Sequence, residues 1–107
     1  MKTSISLYVI AFIAGGMVAA VAAEQTITQK GKLFSPASIT IKKGDTLVFS
    51  NDDNVTHNIY SDSPNNEFNL GSLAPGNSTP VTFDKSGDID IVCAIHPVMK
   101  MKVKVTD

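Results

Sequence analysis

Apolar and polar residues alternate with a period of two through much of the chain beyond Ala23, and no stretch there carries a helical period. Ile39 and Ile41 alternate with Ser38, Thr40 and Lys42; Leu47 and Phe49 follow a Gly44-Asp45 turn; Val81 and Phe83 follow the Pro75-Gly76 region. Ile89, Ile91 and Cys93 share one face of a strand opened by Gly87-Asp88. Met99, Met101, Val103 and Val105 share one face of the last strand, with lysines 100, 102 and 104 on the other. Successive side chains on a strand point to opposite faces, so this pattern describes strands with one face buried and one wet. Short strands between Gly, Pro, Asn and Asp turns predict an all-β, antiparallel sandwich or small barrel. The irregular stretch from Ser61 to Ser72 reads as a loop with room for a short helical turn, and its Asn65-Asn66 pair as a plain surface turn.

Residues 1–23 read as an address rather than as structure. Lys2 supplies a positive start, Ile5 to Val18 is an apolar run, and Ala20-Val21-Ala22-Ala23 offers the small residues a signal peptidase cuts. A signal peptide cleaved after Ala22 or Ala23 is expected, with export to the periplasm; the apolar stretch is also just long enough for an uncleaved membrane anchor. The remainder, residues 24–107, is one domain with room for a single core. It carries eight lysines, ten acids and no arginine. Such a balance gives no support to a nucleic-acid partner, which would want a basic face.

An exported protein normally pairs its cysteines or lacks them, yet this chain has one, Cys93. A lone thiol in an oxidising compartment must be buried, reactive by design, or bound to something. The run Cys93-Ala94-Ile95-His96-Pro97-Val98-Met99 places a thiolate, an imidazole and a thioether within seven residues on a loop between two strands. Pro97 stiffens the turn after His96. The other histidine of the chain, His57, lies just beyond the strand of Leu47 and Phe49 and shares parity with Ile59, which continues an inward face. Two imidazoles and one thiolate with a weak axial thioether suit one copper ion. Zinc collects four strong ligands, and thioether is a poor one for it; iron–sulfur clusters need more cysteines. With every position filled by protein, no place is left for a substrate, which argues against an enzyme.

These residues resemble those of the cupredoxins, the type 1 blue copper proteins, and most of all amicyanin; the likeness to plastocyanin and pseudoazurin is more distant. The likeness runs from about Phe34 to Val105 and is tightest over Gly87 to Val105, where the C-x-x-H-P-x-M pattern aligns without a gap. It implies a Greek-key β-sandwich of about seven or eight strands. It implies His57, Cys93 and His96 as equatorial copper ligands and Met99 as the axial one. Met101 sits at the longer spacing seen in plastocyanin, but Lys102 follows Met99 by three places as a lysine does in the family. Met101 is therefore assigned to the core. Asn51, six before His57, would tie the two ligand loops together, and the Asn58 amide would point at the cysteine sulfur. Amicyanin has a proline where this chain has Ile95, so a further amide is expected to reach Cys93.

The likeness further implies a monomeric carrier that passes single electrons between redox proteins, such as a c-type cytochrome and a periplasmic dehydrogenase. Its electron door would be the edge of His96, ringed by Pro97, Val98, Ala74 and Pro75. The rival reading is a copper-binding protein for storage, delivery or resistance. Such a protein exposes its Cys and Met ligands, whereas the site here includes imidazoles at positions expected to be buried.

Overall fold

In a computed structural model, residues 22–107 are described; the expected signal peptide lies almost wholly outside them. No helix among the described residues is long and apolar enough to cross a membrane. Among the described residues nine strands form: β1 (Glu24–Lys30), β2 (Leu33–Ser35), β3 (Ser38–Lys42), β4 (Thr46–Asn51), β5 (Ile59–Ser61), β6 (Phe68–Asn69), β7 (Ser78–Thr82), β8 (Gly87–Cys93) and β9 (Lys100–Thr106). They make a sandwich of a four-stranded sheet, β2-β1-β4-β7, and a five-stranded sheet, β3-β9-β8-β5-β6.

The sheets are mixed rather than antiparallel throughout. β1 pairs parallel with β4, Ile27 beside Phe49 and Gln29 beside Asn51. β3 pairs parallel with β9, Ile39 beside Val103 and Ile41 beside Val105. Parallel neighbours need a crossover between them, and here the chain supplies it by changing sheets from β2 to β3 and back at β4. β1 was hard to foresee because Glu24–Lys30 holds one apolar residue, Ile27. Its other inward position is the fully buried Gln29.

Alternation in the sequence becomes alternation in burial. β4 buries Leu47, Phe49 and Asn51; β8 buries Ile89, Ile91 and Cys93; β9 buries Met101, Val103 and Val105. Phe83 and Ile59 complete the centre of the core. The stretch from Ser61 to Ser72 holds the short strand β6 instead of a helical turn. Its Phe68 packs between Phe49 and Phe83, with ring centroids 6.2 and 6.0 Å away. Pairs at that spacing contribute roughly 0.5–1.5 kcal/mol each beyond burial.

The Asn65-Asn66 pair does more than turn the chain. Asn65 Nδ2 donates to the Ser86 carbonyl (2.8 Å) and Asn66 Nδ2 to that of Lys85 (2.9 Å), stapling this loop to the β7–β8 connection. Gly87 follows at φ +138°, a backbone region that side chains rarely adopt, and an added Cβ would collide with Asn65 Nδ2. Gly87→Ala is therefore expected to destabilise the fold by about 1–3 kcal/mol, measured by urea unfolding.

At the opposite connection, Asp45 accepts from the amides of Ala23 and Lys42, each at 2.9 Å. The Lys42 amide above all, then that of Ala23, holds its carboxyl below the usual 3.8. A folded-state value below the unfolded one gives stability that is full above about pH 4 and fades as pH falls through the folded value. Asp45→Asn should flatten the acid limb of a stability–pH profile below pH 4 and lower the plateau above it.

Candidate metal centre

Strand ends converge at one edge of the sandwich. β8 ends at Cys93, β5 begins two residues after His57, and β9 begins just after Met99. Ile59 pairs with Cys93 across β5 and β8. His57 exchanges both backbone bonds with Leu73, at 3.1 and 2.7 Å, which fixes the chain before β5. The seven-residue loop is closed on itself by the Met99 amide donating to the His96 carbonyl (2.8 Å) and the Cys93 amide to the Met99 carbonyl (3.2 Å).

These constraints bring three donor atoms into a triangle. Cys93 Sγ lies 3.7 Å from His57 Nδ1 and 3.8 Å from His96 Nδ1, and the two nitrogens are 3.2 Å apart. The point equidistant from the corners of that triangle lies about 2.1 Å from each. Bonds from a metal ion to imidazole and thiolate are roughly 2.0–2.3 Å. His57 and Cys93 are fully buried, while His96 is half-buried.

Both methionines are buried, but at different depths. The β8–β9 ladder pairs Val92 with Lys100 and Ile91 with Met101, so the next step along it sets Met99 level with Cys93. Met101 stands two residues deeper, about 7 Å along the strand. Its neighbours are core aliphatics, and Met99 is the thioether at the level of the triangle.

The Cys93 sulfur accepts from the Asn58 amide (3.3 Å), as expected, while the Ala94 amide donates back to the Asn58 carbonyl (2.8 Å). Ile95 behaves otherwise than its sequence context suggested. Among the described residues the amide that donates to Sγ is that of Asn58, and the Ile95 side chain is half exposed. Asn51 also differs in its partners. Its Nδ2 donates to Val55 and Leu73 carbonyls and its Oδ1 accepts from the Asp53 amide, all at 2.9 Å. It therefore braces the His57 loop internally and against the Leu73 segment, rather than against the cysteine loop.

Asp53 escaped the sequence reading. Its Oδ2 lies 2.8 Å from His57 Nε2, and its oxygens accept from the amides of Gly31 (2.7 Å) and Lys32 (2.9 Å). The Lys32 amide above all holds its carboxyl down at about 2; burial opposes this, and His57 and the Gly31 amide reinforce it. Four-residue spacing before His57 was the available signal, but Asp52 next to it looks the same in sequence. Asp52 instead takes the Ser50 hydroxyl. The expected door residues Pro97, Val98, Ala74 and Pro75 are all exposed, and Ile95 joins them. The turn holding Ala74 and Pro75 hangs from Asn51, whose carbonyl accepts from the Gly76 amide (2.8 Å).

The family model of the cupredoxin-like domain matches residues 3–106. The chain belongs to the cupredoxin-like family. This cupredoxin is 31% identical over 75 residues to methylamine utilization protein MauL of Methylophilus methylotrophus, covering 67% of the chain and 43% of MauL. It thus spans less than half the length of that relative. It is 32% identical over 83 residues to plastocyanin of Scenedesmus fuscus, covering 69% of the chain and 85% of plastocyanin. A Cu(I) structure of an amicyanin variant superposes with a TM-score of 0.68 at 25% identity, covering 84% of this chain and 87% of that one.

In this cupredoxin His57, Cys93, His96 and Met99 are arranged like a type 1 copper site. The donor set fits copper on chemical grounds: thiolate and thioether suit Cu(I), imidazole suits Cu(II), and the trigonal arrangement is intermediate between their preferences. Met99→Leu should change the visible spectrum and reduction potential of the copper-loaded protein. Met101→Leu, a near volume-conserving core change, should leave both in place and cost under about 1.5 kcal/mol of stability.

Proposed function

We propose that this cupredoxin is a periplasmic blue-copper protein that passes single electrons between redox partners. The observation that carries the reading is the triangle of His57 Nδ1, Cys93 Sγ and His96 Nδ1, with Met99 at its level. Bound there, copper would supply a one-electron couple between Cu(II) and Cu(I). His57, Cys93 and His96 would hold it equatorially and Met99 axially.

The rest of the work falls to the chain. A carrier must change oxidation state with little movement of its ligands, so donors need positions fixed by the fold rather than by the ion. His57 is held through its backbone by Leu73 and through its ring by Asp53. Cys93 sits at the end of a paired strand. Burial of His57, Cys93 and Met99 keeps water from competing for the site. The Asn58 amide draws charge from the sulfur, which favours the reduced form. The same burial favours a carrier over a copper-delivery protein, whose ligands must be reachable.

His96 is the donor residue with exposed surface, and the exposed Pro97, Val98, Ala74 and Pro75 are proposed as the apolar rim around it. The half-exposed Ile95 is included in that proposed rim. A small apolar rim suits brief, small interfaces, and a c-type cytochrome and a periplasmic dehydrogenase are the partner classes proposed for it. Export, and a mature monomeric domain of residues 24–107, form part of the same proposal. The leader-like residues 1–23 support it, as does a first strand that begins at Glu24.

Addition of one equivalent of Cu(II) to the metal-free protein should produce intense visible absorption and a reversible one-electron wave. Both should disappear in Cys93→Ser. Transfer of the copper to a chelating apo-protein without a reversible wave would decide for delivery instead.

A further inference from the structure

The β1–β2 turn lies outside every ligand loop, yet it touches the metal centre through one side chain. Gly31 and Lys32 both have positive φ, 63° and 59°, as a two-residue mirror-image hairpin turn requires. That shape points two successive amides to the same side, a concavity that holds an anion. The anion is Asp53: Gly31 N–H donates to Oδ1 and Lys32 N–H to Oδ2. Oδ2 also faces His57 Nε2 at 2.8 Å, and Asp53 is fixed from behind by its own amide donating to Asn51 Oδ1.

An ionised carboxylate accepts and cannot donate, so the His57 nitrogen facing it must carry the proton. A neutral imidazole holds one proton. Placing it on Nε2 leaves Nδ1, the corner of the donor triangle, as a bare lone pair. His96 has no comparable partner among the described residues. We infer that the Gly31–Lys32 turn is the outer support of the metal centre, fixing the Asp53 carboxylate so that His57 is locked in the Nε2–H tautomer that presents Nδ1 to the metal. The inference rests on the proposed ligand role of His57. Asp53 is a positioning residue, and the turn positions Asp53.

Asp53→Asn tests this with nearly unchanged shape. However the amide is oriented, its NH2 must face either a turn amide or His57 Nε2, so at least one of the three bonds is lost. Long-range 1H–15N NMR of the metal-free protein should show His57 as Nε2–H in the wild type and a Nδ1–H population in the variant. Copper(II) affinity, measured by chelator competition, should fall roughly ten- to a hundred-fold. A glycine inserted between Gly31 and Lys32 alters only exposed residues and should move both readouts in the same direction. An unchanged tautomer and affinity in Asp53→Asn overturn the inference. A response to Asp53→Asn but none to the insertion overturns the role of the turn. Failure of the folded wild type to take up copper would defeat the proposed function, while the metal-free tautomer would still decide whether Asp53 sets the ring.

Discussion

Side chains on a strand alternate strictly between faces, so the interior of a sandwich can change its chemistry only by changing residues at one parity. Each strand that reaches the metal end makes that change in its last inward position. β4 runs Leu47, Phe49, then Asn51; β8 runs Ile89, Ile91, then Cys93. β9, read backward, runs Val105, Val103, Met101 toward Met99, and Ile59 gives way to His57. A one-residue slip in any of these pairings would send the polar residue to solvent together with its whole hydrophobic set. The hydrocarbon core and the donor set are therefore specified by the same register.

Buried polar groups in such an interior are costly unless partnered, and, Gln29 Oε1 apart, those near the metal end are partnered. Asn51 makes three hydrogen bonds and Asp53 three through its carboxylate. The backbone of His57 is paired with Leu73. These partners lie in the β1–β2 turn, the segment before β5 and the segment around Leu73, so the metal end is knit from pieces far apart in sequence. The cysteine loop is simpler. It is closed by its own backbone bonds and by the reciprocal contact between Asn58 and the Cys93–Ala94 pair.

Legibility in the sequence followed the same division. Strands β3, β4, β8 and β9 and the four donors could be read because alternation and C-x-x-H-P-x-M are local signals. The cysteine loop is contiguous and carries its own chemistry. β1 was hidden because a parallel partner covers Glu24–Lys30 and one isoleucine suffices for its inner face. Asp53 was hidden because its importance depends on a hairpin turn 21 residues away in sequence, and no local pattern separates it from Asp52. Asn51 bonds to Val55, Leu73 and Asp53 instead of the cysteine loop, since hydrogen-bond partners depend on how a loop turns rather than on which residues it holds.

The position of β9 has a consequence for how such a chain comes to its native state. It is the last strand in chain order, yet it lies inside its sheet, between β3 and β8. Its partner Ser38 on one side is 64 residues away from Lys102, whereas β8 on the other side is its immediate predecessor. A chain emerging from its N-terminal end would leave β3 without its β9 partner until that strand arrived, and long-range pairing of that kind is slow to form. Maturation of the donor set would then wait for β9 to pair, so that metal capture follows closure of this sheet rather than guiding it.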